Sequence, residues 1–392
     1  MKKKCPLCKS DNIEYLLNVE VPTLQNRVYK TKAEANNCLV GNVNLTHCTN
    51  CNFTFNADFN ENIIIYDENY DNAVPSKIFT EYYQTICKYI YVKYKLSNGT
   101  VYDIGCGKGT FLKMLCNIYP DVKGVGIDPS YEGELNPLNN LQFIQDFFNP
   151  SQVTSKPNLI ISRHVFEHIE YPIDFLEIIK NPLKEFKEVP IFIEVPDFRW
   201  IVENKTFWDI CYEHCNYFSE YSINSMFNFP WLSLESITKA FGNQYLWIEG
   251  LINSNNKDIN AGEYFKIDIK LINDFVNSIF EFKNNIKNII LEYKKQNYKI
   301  IVWGMATKGV IFSINIDRKC DLIDFCIDIN KDKQNMYSPI TAHLIESPEI
   351  LSNIYANCLI IVMNTNYLNE IQNMLLNFQL NAHFIDAHGN NL

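Results

Sequence analysis

No stretch of this 392-residue chain approaches the roughly 18 consecutive apolar residues of a membrane-spanning helix. The opening MKKKCPLCKS is charged and has no apolar run behind it, so it does not read as an export signal, and a cytoplasmic protein is expected. Positive charge is also short. Lys and Arg number 35 against 45 Asp and Glu, a net charge of −10, and the isoelectric point is about 5.3. Such a chain has no global field to draw in a phosphate backbone, so a nucleic-acid partner is disfavoured. Thirteen cysteines, an odd number with no export signal, do not make a disulfide framework. What the chain does have is core-forming material, 47% hydrophobic and 14% aromatic, enough for two to three domains.

A dinucleotide fingerprint is missing too. In VYDIGCGKGT, Val101 to Thr110, an apolar strand runs into Gly105, Gly107 and Gly109, and FLKMLCNIY continues as a helix. Counted from Gly105, the third glycine of GxGxxG would fall at Thr110, so a nicotinamide cofactor is disfavoured. Glycines there let the backbone turn and approach a ligand at the carboxyl end of a parallel sheet. Asp103, just before the loop, can hold a cationic group such as the ammonium of S-adenosylmethionine (SAM). Asp128, nineteen residues past Gly109 at the end of the next strand, can accept both ribose hydroxyls. Asp146 in FIQDFF falls where an adenine amino group would lie, and Cys106 and Arg163 complete the expected cofactor set. The ordered run DIGCGKG, GIDPS, FIQDFF and ISRHVFEHI resembles the class I SAM-dependent methyltransferases.

Two CxxC knuckles precede this core, Cys5–Cys8 and Cys48–Cys51. Each can present two thiolates to one tetrahedral ion, and together they point to structural zinc. The 39 residues between them require an excursion that returns the chain to the site. His47 and Cys38 are substitute ligands without a paired partner.

Ser76 can N-cap a helix ahead of the nucleotide strand, and Tyr66 and Tyr70, just before it, are placed to cover the site mouth. NLIISR reads as the fourth strand, with HVFEHI at its carboxyl end, and VPIFIEVPD as the fifth. The stretch from Phe198 to Phe227 looks too polar and aromatic for a core helix and sits where substrate loops belong. Within it Glu213 and His214 put a carboxylate beside an imidazole, flanked by Trp208, Tyr212 and Tyr217. SLESITKAF and GNQYLWIEG should close the sheet as an antiparallel edge. Residues 263–297 have helical spacing, and a second α/β unit follows (KIIVWG, DFCIDIN, CLIIVMN, AHFIDA). Its loop has only Gly304 and Gly309, so no cofactor is assigned; Lys308 at a helix start suits an anion.

The whole chain is similar to the sugar C-methyltransferases of bacterial deoxysugar pathways. That resemblance implies an α/β fold: a class I SAM-methyltransferase Rossmann-like core (66–255), a small N-terminal zinc-binding domain (1–65) and a second, C-terminal Rossmann-like domain (256–392). It implies SAM and zinc as cofactors and a small-molecule nucleotide sugar as substrate, a 4-keto sugar on a thymidine nucleotide, deprotonated beside its ketone and methylated through the enolate. The resemblance carries catalytic roles onto His214, Glu213, His168 and Tyr70. One position departs from the family pattern: Cys211 stands where the family has a tyrosine to polarise the ketone, leaving Tyr212 as a substitute. The alternatives are an oxygen or nitrogen acceptor on the same fold and, further off, a zinc-ribbon RNA methyltransferase. The sugar, the nucleotide and the oligomeric state are not readable from the residues.

Overall fold

The computed structural model describes residues 2–64, 76–253, 263–354, 356–376, 378 and 380–392. Tyr66 and Tyr70 lie outside them, so the structure gives no position for either. The N-terminal part forms β1 (Ile13–Pro22), α1 (Lys32–Asn36), β2 (Val40–Cys48) and β3 (Thr54–Asn56), the strands antiparallel in sequence order. Thr31 and Glu34 cap α1 reciprocally.

The central part begins with α2 (Lys77–Lys93), N-capped by the Ser76 hydroxyl, which accepts from the Phe79 amide. Then come β4 (Thr100–Ile104), α3 (Thr110–Ile118), β5 (Lys123–Ile127), β6 (Leu141–Ile144), β7 (Leu159–Arg163), α4 (Pro172–Lys180), β8 (Val189–Pro196), α5 (Phe198–Glu203), β9 (Asn216–Tyr217), α6 (Glu220–Met226), β10 (Leu232–Ala240) and β11 (Tyr245–Ile252). The seven-stranded sheet runs β10-β11-β8-β7-β4-β5-β6. It is parallel from β8 to β6, and β11 and β10 form the expected antiparallel edge. Strand order reverses between β4 and β7, so their carboxyl ends flank the crevice in which ligands of such sheets bind.

The C-terminal part opens with α7 (Ile269–Lys295), whose buried Ile272, Phe275, Ile279, Ile286 and Ile290 form one stripe at helical spacing. After it come β12 (Lys299–Trp303), α8 (Thr307–Ile316), β13 (Phe325–Ile327), β14 (Met336–Tyr337), β15 (Leu344–Glu346), β16 (Cys358–Val362), α9 (Leu368–Leu375) and β17 (Ala382–Asp386). The sheet order is β14-β15-β13-β12-β16-β17, with β14 antiparallel to β15 and the other pairings parallel. Among the described residues no helix is long and apolar enough to cross a membrane.

The stretch after β8 differs from its expected role as an open substrate loop. Phe198, Ile201, Phe207, Trp208, Ile210 and Tyr212 are all buried, in one apolar cluster with Val43 and Leu45 of β2 and with Ile272 and Phe312 of α7 and α8. Strand β9 pairs with β3, Thr54 opposite Tyr217, and so belongs to the N-terminal sheet. Its aromatic residues are there to join three parts of the chain, which is why polarity alone misjudged them. A Cβ at Gly41 would lie 2.4 Å from the Tyr212 ring, so that ring rests directly on the β2 backbone.

One buried ion pair stands inside the C-terminal part. Asp317 accepts the Ile323 amide at 2.8 Å and His343 Nε2 at 2.9 Å. Burial works against a charged His343, yet the Asp317 carboxylate, aided by Cys320, lifts its pKa from 6.5 to about 9. Folding therefore gains from the pair below pH 6.5 and loses that gain as pH rises through about 9; on the acid side it is lost only in strong acid, because the Asp317 carboxyl is held below the usual carboxylate range. Asp317→Asn is expected to cost on the order of 2 kcal/mol near pH 6 and much less above pH 9, measured by thermal melts across that range.

Candidate active site

The Gly-rich loop joins β4 to α3 with Gly105, Gly107 and Gly109 at φ of 77°, 55° and 74°. A Cβ at Gly105 would sit 2.3 Å from Val165 and one at Gly109 2.5 Å from Phe143, so packing demands both glycines. At Gly107 a Cβ would meet nothing within 4 Å. That open side is where a ligand can approach the backbone. The Gly107 amide donates to Asp128 at 2.8 Å, and the other Asp128 oxygen accepts the Ser130 amide and hydroxyl at 2.7 and 2.6 Å. Asp128 thus anchors the loop to the end of β5. Asp103 is buried, and burial, assisted by Asp128 and opposed by Arg163, lifts its pKa to about 7. A bound cation would offset that cost, so the loop and its acid fit the ammonium of SAM. Burial also pushes the Cys106 thiol up. Asp146 is exposed and accepts from the Phe147 amide.

Arg163 does not stand open as a cofactor contact. Its Nε donates to fully buried Glu194 at 2.6 Å, and its guanidinium lies 4.4 Å from the ring centres of both Tyr83 and Phe111. Glu194 also accepts from the Tyr82 hydroxyl, which accepts from Trp247 at 2.7 Å. None of these partners is in a sequence motif. They come from α2, α3, β8 and β11, and only the sheet brings them together.

Past β7 the chain turns sharply. His164 takes a left-handed φ of 55°, and a short 3-10 turn presents Glu167 and His168. Asn216 of β9 donates to the carbonyls of Phe166 and Ile169, fastening this turn to the loop that carries His214. The rings of His168 and His214 meet edge to face with centres 5.0 Å apart. Because a carbonyl can only accept, the 2.9 Å contact between His168 Nδ1 and the Glu213 carbonyl places the proton on Nδ1 and leaves Nε2 to accept. Burial pushes the His214 pKa down to about 3, His168 adding to the effect and Glu167 opposing it. Burial thus disfavours a proton on His214 and leaves its lone pair available for proton abstraction.

Three sequence-derived roles change here. The Glu213 carboxylate was expected to orient His214; instead it accepts the Gln25 amide at 2.8 Å, because its side chain leaves the loop toward the N-terminal part. The carboxylate beside the imidazoles is Glu167, whose nearest signal in the sequence is its place one residue before His168. Tyr212 cannot swing in for the missing tyrosine, since its hydroxyl accepts the Asn60 amide at 2.9 Å and its ring is packed on β2. Cys211 is itself buried, its backbone amide and carbonyl both bonded to the Tyr217 hydroxyl. Lys308, expected to meet an anion, pairs with Asp209 at 2.8 Å.

The four knuckle cysteines converge, their sulfurs all within 4.8 Å of one another. Cys5–Cys51 and Cys8–Cys48 approach to 3.6 Å, each contact crossing between knuckles. Tetrahedral zinc–thiolate bonds of about 2.3 Å would put the sulfurs about 3.8 Å apart, so the group fits such an ion. Lys9 and Asn52, each directly after a knuckle, adopt matching left-handed φ of 62° and 57°. His47 and Cys38 are not ligands: His47 is hydrogen-bonded to Thr54 and Asn52, and Cys38 lies outside the group.

Residues 79–228 match the Methyltransferase domain family and residues 263–385 the C-methyltransferase C-terminal domain family. A comparison with curated proteins returns no match. Among solved structures, the plantazolicin methyltransferase BpumL with a desmethylPZN analog and SAH is 18% identical, covering 46% of this chain and 86% of its own at a TM-score of 0.35. A SAM-dependent methyltransferase from Aquifex aeolicus is 18% identical over 46% of this chain and 100% of its own, TM-score 0.33. Magnesium protoporphyrin IX methyltransferase from Synechocystis PCC 6803 with SAH is 16% identical over 46% and 89%, TM-score 0.34.

Elemental analysis is expected to find one metal equivalent per chain and Cys48→Ser to lose it; unchanged metal content in that variant counts against the site. Because β9 pairs with β3 two residues beyond His214, chelation should also displace His214 and reduce turnover, although the ion takes no part in the chemistry. With a Gly-rich cofactor loop at the switch point, an imidazole pair at the same edge and both domain matches in register with the fold, the chain is a SAM-dependent methyltransferase that carries a C-methyltransferase C-terminal domain.

Proposed function

We propose that the protein methylates carbon in a nucleotide-activated keto sugar, with structural zinc in its N-terminal part. The observation that carries this reading is the edge-to-face His168–His214 pair at the carboxyl edge of β7, where burial disfavours a proton on His214, in a chain with a C-methyltransferase C-terminal domain. Transfer to carbon needs a base to remove a carbon-bound proton, and an imidazole free to accept one is suited to that step. In this scheme His214 takes the proton next to the ketone and the C–H electron pair passes into the enolate. SAM, when bound, supplies the electrophilic methyl group. The enolate carbon forms the new C–C bond as the sulfonium–methyl bond breaks, and His214 then returns its proton to water. Asp103 and the Gly105–Gly109 loop hold the cofactor, and Asp128 holds both the loop and the ribose. Asp146 lies near the adenine in this scheme, and Arg163 acts by bracing the sheet edge through Glu194.

A second reading, transfer to oxygen or nitrogen, is favoured by Cys211, because the thiol that stands in for the family tyrosine is buried and the Tyr212 hydroxyl is engaged. The two readings separate cleanly. Incubation with SAM and a panel of nucleotide 4-keto sugars is expected to add one methyl mass. In heavy water with the demethylated cofactor, hydrogen beside the ketone should exchange; methylation without exchange selects the oxygen or nitrogen acceptor. His214→Asn should keep SAM affinity and lower turnover by roughly 10²- to 10⁴-fold, and an undiminished rate excludes His214 as the base. SAM affinity should fall as the pH drops below about 7, since protonation removes the Asp103 charge, by up to about tenfold per pH unit. Calorimetry across pH should find that slope abolished in Asp103→Asn.

A further inference from the structure

We infer that Glu167 is the positioning residue of this site, the buried carboxylate through which His214 is made an effective base, and that Glu213 is not. The kinetic part of this inference rests on the proton-abstraction chemistry proposed above; the electrostatic part does not. One Glu167 carboxylate oxygen and one ring nitrogen each of His168 and His214 lie within 4.8 Å of one another. Glu167 is 1% exposed. Its Oε1 is 3.4 Å from His164 Nδ1, while its Oε2 is buried with no hydrogen-bond partner. A carboxylate buried with one oxygen unsatisfied is costly unless something charged faces it. Here it faces three imidazoles, His164, His168 and His214, each of which becomes its counter-charge only on taking up a proton.

The groups that act on His214 come from three elements. His168 and Glu167 belong to the turn after β7, His164 to the end of β7, and Lys308 to the start of α8. His168, His164 and Lys308 each disfavour a proton on His214, and of the four only Glu167 favours one. When His214 takes a proton from substrate, the imidazolium that forms therefore has Glu167 as its counter-charge. The reciprocal effect is visible on Glu167: burial works to raise its pKa, but the His164 hydrogen bond, with His168 and His214 adding, more than offsets that and holds it below the usual carboxylate range. Glu213 adjoins His214 in sequence, yet its carboxylate bonds the Gln25 amide and its share in the pair is the backbone carbonyl that fixes the His168 tautomer.

The test uses the full chain and three variants, Glu167→Gln, Glu167→Asp and Glu213→Gln. Ring-nitrogen NMR, with no substrate present, follows protonation of the His168–His214 pair, read as the pair's midpoint. Glu167→Gln is expected to move that midpoint down by about one pH unit or more, Glu167→Asp by less, and Glu213→Gln to leave it in place. On a keto-sugar nucleotide that the wild type turns over, Glu167→Gln should lower kcat and solvent-hydrogen exchange together by roughly 10- to 100-fold, with KM and SAM affinity unchanged. An unmoved midpoint in Glu167→Gln overturns the inference, as does a second metal equivalent per chain, which would make Glu167, His168 and His214 a metal site. A shifted midpoint in a wild type that exchanges no substrate hydrogen supports the role of Glu167 and sinks only the keto-sugar reading.

Discussion

Burial of the apolar and aromatic side chains of residues 198–218 between three parts of the molecule is the constraint on which the site depends. The segment leaves β8, packs Phe207 and Trp208 against α7 and α8, lays Tyr212 across β2, and returns as β9 at the edge of the N-terminal sheet. A buried aromatic side chain stabilises by roughly 1.5–3 kcal/mol relative to exposure, so several together hold a loop that few backbone bonds support. His214 sits within this packed run and inherits its rigidity. The same run links the cysteine cluster to the edge of the central sheet that carries the Gly-rich loop, through the pairing of β9 with β3.

Around that segment the central sheet arranges charge. At the carboxyl ends of β7 and β8, Arg163 and Glu194 pair out of water between two aromatic rings, and Glu167 faces three imidazoles a few residues on. Such buried charges are weak sources of stability, because desolvation cancels most of their attraction. Their effect lies in poise. Asp103, on β4, has its pKa raised by burial while Glu167, in the turn after β7, has its lowered, so two buried acids at one sheet edge are pushed in opposite directions. That separation suits one for meeting a cation and the other for steadying a transient imidazolium.

The C-terminal part contributes through its seam. Asn52 exchanges two hydrogen bonds with the backbone of Ile267, and Ser76 donates to Glu370 at 2.7 Å. Lys308, at the head of α8, is drawn onto Asp209 of the buried segment. A glycine-poor loop that invites an anion in the sequence is thus occupied by a carboxylate of the same chain.

Local chemistry alone determined much of this. The strand–loop–helix of VYDIGCGKGT, the Ser76 cap, the antiparallel edge, the long helix before the second α/β unit and the convergence of four cysteines all follow from short-range periodicity, backbone permissiveness and ligand spacing, which a linear chain displays directly. Tertiary structure alone decided the rest. Glu213 and His214 are adjacent in the chain, but neighbouring side chains leave a bend in different directions, so sequence proximity misassigned the carboxylate. Glu167 reaches His214 from 47 positions away because a turn at one strand end faces a loop returning from the next. Polar and aromatic composition described the segment after β8 correctly but not its burial, since what an aromatic side chain packs against is a property of three sheets meeting and is written in no one of them.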